Sequence, residues 1–288
     1  MNRKISMDDF GTEDTYKLYR SVYEIIHPTI SKKNISNYKI MMQEDLIPLR
    51  IFYPKKISKL SKAIIYVPGK AWMVNGNKNY AEVCNFLVEQ TDTIVIALDY
   101  DKENITYNNL IEKCKNTIDY LIHGLLRLEI EKEKITLIGD SIGASILANI
   151  SLLLTESYPR QILLYPALNL TFENKENYPS LEQNNKIDLL TLKHMLVFQK
   201  NYIDKKTYQS PLHAKNYTNW PMTLVITGDL DPLRDEGLEL VTKLRKENKQ
   251  SRGLNIKFAS HGFLNSKDEE SIEECMKEMK KFIAKKER

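Results

Sequence analysis

A chain of 288 residues has room for one large α/β domain or two small ones, and its 42% apolar and 28% charged residues supply a sizeable core, which excludes an intrinsically disordered chain. The net charge of +4 is small for that length. The basic runs Lys55-Lys56…Lys59…Lys62 and 280–288 lack interleaved aromatics, so they read as solvated faces and not as a nucleic-acid patch.

No run approaches the length of a membrane span, and the N-terminus shows no apolar core of a secretory signal. Cys84, Cys114 and Cys275 are odd in number, far apart and on apolar stripes of predicted helices, which suits reduced, buried thiols in a cytoplasmic protein. No Cys/His spacing suggests zinc.

In chain order, Tyr16, Tyr19, Val22, Tyr23 and Ile26 predict a helix over about 12–27, ended by His27-Pro28. Residues 37–43 and 46–53 read as two strands around a turn at Glu44-Asp45. A strand over 63–67 ends at Pro68-Gly69, and Tyr80, Val83, Cys84 and Leu87 follow at helical spacing. A strand over 93–98 precedes a helix marked by Leu110 to Leu125. Then come a strand and helix around Gly139 to Gly143, and a strand over 161–165. The alternation pauses over 167–215, which holds one helix near 189–202. It resumes with a strand over 222–227, a helix over 235–247, a strand over 255–259 and a final helix striped by Ile272, Cys275, Met276, Met279 and Phe282.

Alternating strands and helices predict a mostly parallel central sheet with helices on both faces, whose ligands bind at the carboxyl ends of the strands. Gly69, Ser141, Asp231 and His261 all fall just past predicted strand ends, so one sheet edge can gather them. With no repeat and no Pro- or Gly-rich linker, 1–288 reads as a single domain carrying an insertion.

Gly139-Asp140-Ser141-Ile142-Gly143 has the Gly-x-Ser-x-Gly pattern of a nucleophile elbow, with a strand before it and an apolar helix after it. The same pattern also fits a Gly-rich turn around a buried serine. A serine hydroxyl needs a positioned base. Of the five histidines, His27 closes a helix, His123 and His194 lie mid-helix and His213 sits in a loop. His261 alone follows a predicted strand. Its orienting carboxylate comes from Gly228-Asp229-Leu230-Asp231-Pro232-Leu233-Arg234-Asp235, where Asp229, Asp231 and Asp235 compete and spacing does not choose.

The chain resembles the α/β-hydrolase superfamily, in particular the hormone-sensitive-lipase-like esterases. The elbow is similar to the family's G-D-S-A-G. Leu164-Tyr165-Pro166-Ala167 is similar to L-Y-P-x. Ser210-Pro211-Leu212…Pro221…Asp231-Pro232-Leu233-Arg234-Asp235-Glu236-Gly237 resembles the acid region, and His261-Gly262-Phe263 resembles H-G-F. The resemblance runs from about residue 60 to the end. It implies an α/β-hydrolase fold, Ser141 as nucleophile, His261 as base and Asp231 as the acid. It further implies a helical cap from about 1–35 and 167–215, and no metal or organic cofactor.

Two places depart from the family. Its H-G-G-G-[FW] oxyanion loop is here Pro68-Gly69-Lys70-Ala71-Trp72, so the backbone N–H groups of Lys70 and Ala71 join that of Ile142 as the implied oxyanion donors, with Gly69 and Trp72 facing substrate. Positive φ at Lys70 or Ala71 costs on the order of 1–2 kcal/mol each. The Lys70 chain either brings a cation near the oxyanion or points to solvent. The family's D-Y-R-L-x-P-E is here Asp99-Tyr100-Asp101-Lys102-Glu103-Asn104. The resemblance implies a small-molecule carboxylic ester with a short, acetyl-like acyl group, and admits a homodimer. An amidase or arylformamidase of the same fold, and a non-catalytic ligand-binding protein on a hydrolase scaffold, are the rival readings.

Overall fold

In the computed structural model the described residues are 37–40, 42, 45–54, 62–69, 80–100, 105–127, 129–185, 190–266 and 268–285. The helix expected over 12–27 and the 1–35 part of the expected cap lie outside them. Eight strands form one sheet: β1 (Asn37–Ile40), β2 (Leu49–Phe52), β3 (Ala63–Val67), β4 (Ile94–Leu98), β5 (Ile135–Asp140), β6 (Gln161–Leu164), β7 (Thr223–Gly228) and β8 (Ser251–Ile256). Their spatial order is β1-β2-β4-β3-β5-β6-β7-β8. The pairs β1/β2 and β2/β4 are antiparallel, and every other pair is parallel.

Strand side chains alternate between faces, so each buried strand feeds two cores. Ala63, Ile65 and Val67 of β3 pack on one side with Ile94, Ile96, Ile135 and Leu137. Helices α2 (Tyr107–Arg127), α3 (Ile142–Leu152) and α6 (Arg234–Lys246) cover that side through residues such as Leu121, Leu147 and Leu240. Ile64 and Tyr66 pack on the other side with Val95, Ile138 and Ile162, under α1 (Tyr80–Thr91) and α7 (Glu269–Ala284). Full burial on both faces explains why these strands read as continuous apolar runs.

Helix α3 sits centrally, and every residue from Ile142 to Ser151 is buried. This is the reason for its lack of a polar face. The 167–215 segment contains α4 (Ser180–Gln183) and α5 (Leu192–Tyr202), and the side chain of Thr191 caps α5 by accepting the His194 N–H. Among the described residues no helix is long and apolar enough to cross a membrane.

One element differs from expectation. The last strand spans Ser251–Ile256, not 255–259, and pairs Thr223 with Ser251 through Gly228 with Ile256. Its sequence, Ser-Arg-Gly-Leu-Asn-Ile, is polar because β8 is an edge strand and mostly half-buried. Apolar periodicity therefore misses it. The apolar-looking Phe258 lies instead in the following turn, at φ 60°, and is 77% exposed.

Arg160 fastens the end of α7. Its guanidinium is buried, and Nη1 donates to the carbonyls of Phe282 (2.8 Å), Ile283 (3.1 Å) and Lys285 (2.5 Å). These carbonyls lie at a helix end, where intrahelical donors run out. Arg160→Ala is expected to lower the unfolding free energy by about 3 kcal/mol, through unsatisfied carbonyls and an unfilled space. A urea midpoint that stays at the wild-type value, at equal m, would show that water replaces the guanidinium.

Candidate active site

The site begins with a backbone constraint. Ser141 joins β5 to α3 at φ 51°, ψ −117°, a region that non-glycine residues avoid. Its N–H is held by the Leu164 carbonyl at 2.9 Å. The two elbow glycines permit the turn. A Cβ on Gly139 would lie 2.7 Å from the carbonyl of Gly143, and one on Gly143 would lie 1.9 Å from the carbonyl oxygen of Val67. The strands and helix thus approach closer than any side chain allows.

The strand ends bring the other groups to this turn. Ser141 Oγ lies 2.9 Å from His261 Nε2. His261 Nδ1 lies 2.8 Å from Asp231 Oδ2. Asp231 is fully buried, and its Oδ1 accepts the Leu233 N–H at 2.8 Å. Its two rivals are occupied elsewhere. Asp229 faces Arg234 at 3.7 Å and accepts from Asn255 at 3.3 Å, and Asp235 takes Arg234 Nε at 2.9 Å and the Ser180 N–H at 2.8 Å.

Burial pushes the His261 imidazole down, but the Asp231 charge and its hydrogen bond outweigh this, with Asp140 and Glu236 behind them, so the net shift is upward. Tyr165, at φ 36°, sets its ring edge-on to His261 with centroids 5.1 Å apart.

The loop after β3 is tied to the elbow at Gly69 and to the chain after β4 at Pro68. The Gly69 N–H donates to Asp140 Oδ1 at 2.6 Å, and the Tyr66 hydroxyl donates to the same oxygen at 2.5 Å. The Pro68 carbonyl accepts the Tyr100 hydroxyl at 2.5 Å. Burial pushes the Asp140 carboxyl up, against the opposing pull of the Tyr66 and Gly69 bonds. Lys70, Ala71 and Trp72 lie outside the described residues, as do 101–104. Ile142, the remaining expected donor, is the first residue of α3.

The family model described as alpha/beta hydrolase fold matches residues 64–265. The chain belongs to the α/β-hydrolase family. This bears out the resemblance carried by the elbow, the Leu164-Tyr165-Pro166 strand end and the acid loop. The α/β hydrolase is 24% identical over 276 residues to a protein named arylesterase from Saccharolobus solfataricus, across 91% of this chain and 89% of the relative. Among solved structures, it is similar to an esterase of Pyrobaculum calidifontis, with 23% identity, TM-score 0.75 and coverage of 93% and 91%. It is also similar to the Francisella virulence factor BioJ, with 24% identity, TM-score 0.73 and coverage of 97% and 98%. Both structural likenesses concern the fold.

Some residues of this α/β hydrolase's site were not singled out by sequence. Tyr66 reads as one more apolar strand residue, and Tyr100 as half of a matched dipeptide. Asp140 sits inside the elbow pattern with no role assigned. The signal was a polar atom at three strand ends that converge only in space.

A Cβ on Gly69 would lie 2.4 Å from the Asp140 carbonyl oxygen and 2.9 Å from Ser141 Cβ. Gly69→Ala must therefore push the loop away from Ser141. It is expected to slow labelling of Ser141 by a fluorophosphonate at least about tenfold. Labelling at the wild-type rate would mean that the Pro68–Gly69 segment is not coupled to the serine.

Proposed function

We propose that this α/β hydrolase is a serine esterase that cleaves carboxylic esters through an acyl-enzyme on Ser141. The observation that carries the reading is the unbroken hydrogen-bond chain from Ser141 Oγ through the His261 ring to buried Asp231. The names of the relatives, arylesterase and esterase, support it.

His261 Nε2 accepts the Ser141 proton as Oγ attacks the acyl carbon. Asp231 holds the Nδ1–H tautomer and stabilises the imidazolium. The imidazolium then gives its proton to the leaving alcohol. Water, deprotonated by His261, attacks the acyl carbon, and the carboxylic acid departs as Ser141 regains its proton. The negative charge on the acyl oxygen faces the Ile142 N–H. A helix's first N–H groups lack intrahelical acceptors, and its positive end favours an anion. Lys70 and Ala71 supply the further N–H donors. The family resemblance assigns Gly69 and Trp72 to the substrate side, and Gly69 packs directly beside Ser141.

The short, acetyl-like acyl preference rests on the family resemblance. The 167–215 segment serves as part of the cap. Its docking onto the acid loop supports this: Ser180 Oγ donates to the Pro232 carbonyl at 2.8 Å, and Asn184 donates to the carbonyls of Asp229 and Asp231 at 3.1 and 3.2 Å. The intact Ser–His–Asp bonding argues against a binding protein that has lost catalysis.

Hydrolysis of p-nitrophenyl acetate, butyrate and octanoate tests the reading. Acetate and butyrate are expected to turn over, octanoate poorly, and Ser141→Ala to reduce all three to background. Asp231→Asn is expected to lower kcat by about a thousandfold or more, because it presents the wrong tautomer of His261. Activity that persists in Ser141→Ala would sink the reading.

The pH dependence has a definite sign. Only neutral His261 accepts the serine proton, so activity disappears as pH falls through its raised pKa. The acid limb of kcat/KM is therefore expected above about pH 6.5, the ordinary histidine value. Asp231→Asn removes the largest upward push and leaves burial, so its limb moves to lower pH. A limb in the variant at or above the wild-type position would contradict the assignment of Asp231.

A further inference from the structure

Beside this chain of bonds lies a carboxylate that the proposed hydrolysis uses neither as acid, base nor nucleophile. Glu236, in the first turn of α6, is 1% exposed. Its Oε2 accepts the Leu168 N–H at 2.7 Å and the Asn169 N–H at 2.9 Å. Among the described residues, Oε1 has no partner. A carboxylate so deeply buried costs more desolvation free energy than an amide or an apolar side chain would.

The segment it grips touches the site twice. The Leu168 carbonyl accepts the hydroxyls of Tyr208 at 2.8 Å and Ser210 at 2.6 Å, which fixes the far side of the turn. The Ala167 N–H meets the Ser141 carbonyl at 3.4 Å, and Tyr165 sets its ring on His261. The stretch 165–169 is thus held by β6 at one end and by Glu236 at the other, with the nucleophile and the base against its middle.

We propose that Glu236 is a positioning residue: its carboxylate fixes the 167–169 turn, and through that turn the Ser141 backbone and the Tyr165 ring against His261. The inference rests on the esterase reading, which it deepens. A charged anchor also makes the turn sensitive to pH. Burial pushes the Glu236 carboxyl up, its two backbone bonds pull it down, and Asp231 and Glu239 push it up again, to about 7. The titratable groups around it are Asp231 on the acid loop, Glu239 on its own helix, Tyr178 and Tyr208 on the 167–215 segment, and His261 across the site. Protonation weakens both N–H bonds, and it removes one of the charges that raise His261.

The test compares wild type, Ser141→Ala, Glu236→Ala and Glu236→Gln by ester hydrolysis against pH and by protection factors of the Leu168 and Asn169 amides against pH. Glu236→Ala is expected to lower kcat about ten- to hundredfold with KM nearly unchanged. Glu236→Gln keeps an acceptor for both N–H groups, so kcat at high pH is expected to recover to within a few-fold of wild type, with the acid limb at lower pH. Amide protection is expected to fall below about pH 7 in wild type and to stay level in Glu236→Gln. Unchanged kinetics in Glu236→Ala would overturn the proposal. If that variant does not fold, a Glu236→Gln profile that superimposes on wild type overturns it instead. Hydrolysis with pH-independent protection sinks the anchor and leaves the esterase reading. Absent hydrolysis with pH-dependent protection sinks the esterase reading and leaves the anchor.

Discussion

The backbone of Ser141 is the constraint on which the structure turns. Its φ of 51° and ψ of −117° cost on the order of 1–3 kcal/mol, and such a conformation persists only where the surroundings over-determine it. Here they do so from every side. β5 is buried along its whole length between β3 and β6, α3 is buried on all faces, and the two elbow glycines remove the side chains that would hold strand and helix apart. The central position of the elbow in the sheet is therefore the source of its rigidity. An edge strand, such as half-exposed β8, could not hold the same strain.

Three buried carboxylates lie around the site, and each accepts at least one backbone N–H. Asp140 takes the Gly69 N–H, Asp231 the Leu233 N–H, and Glu236 those of Leu168 and Asn169. Backbone N–H groups stabilise a carboxylate without cancelling its field, as a buried arginine would. All three charges act on His261 in the same direction and together overcome the desolvation of its ring. Burial alone would hold the imidazole neutral and weakly basic, and this excess of negative potential offsets it. The same carboxylates also link separate pieces of chain. Asp140 joins the elbow to the loop after β3, Asp231 joins β7 to the β8 turn, and Glu236 joins α6 to the 167–169 turn.

Much of this was legible in the sequence. Strands buried on both faces show as apolar runs, and β3 and β4 fall within a residue of their expected bounds. The elbow was legible because its glycines and serine are adjacent, and His261 because few histidines compete with it. The carboxylate that pairs with His261 was not legible from spacing. Asp229, Asp231 and Asp235 lie within seven residues, and what separates them is the position of Arg234, Asn255 and Ser180 in space. Strand β8 was displaced because an edge strand carries no apolar signature. Glu236 was hidden for the opposite reason: in sequence it is one acid in the first turn of an amphipathic helix, where acids are ordinary, and only its burial sets it apart.

The altered loop after β3 is best understood from the groups that hold it. The peptide bond between Pro68 and Gly69 has two backbone groups to offer, the Pro68 carbonyl and the Gly69 N–H. Both are used: Tyr100 donates to the first and Asp140 accepts from the second. The anchor therefore rests on Asp140, Tyr100 and a glycine at 69. Glycine is required at 69 because a Cβ would collide with Asp140 and Ser141, whatever φ the residue adopts. This anchor precedes the positions where Lys70 and Ala71 stand in place of the family's other glycines. Tyr66 reinforces the anchor, since its hydroxyl on the same Asp140 oxygen fixes the carboxylate that receives the Gly69 N–H. The constraint on this loop lies at its root, in a short hydrogen-bonded cluster of Tyr66, Asp140, Gly69, Pro68 and Tyr100.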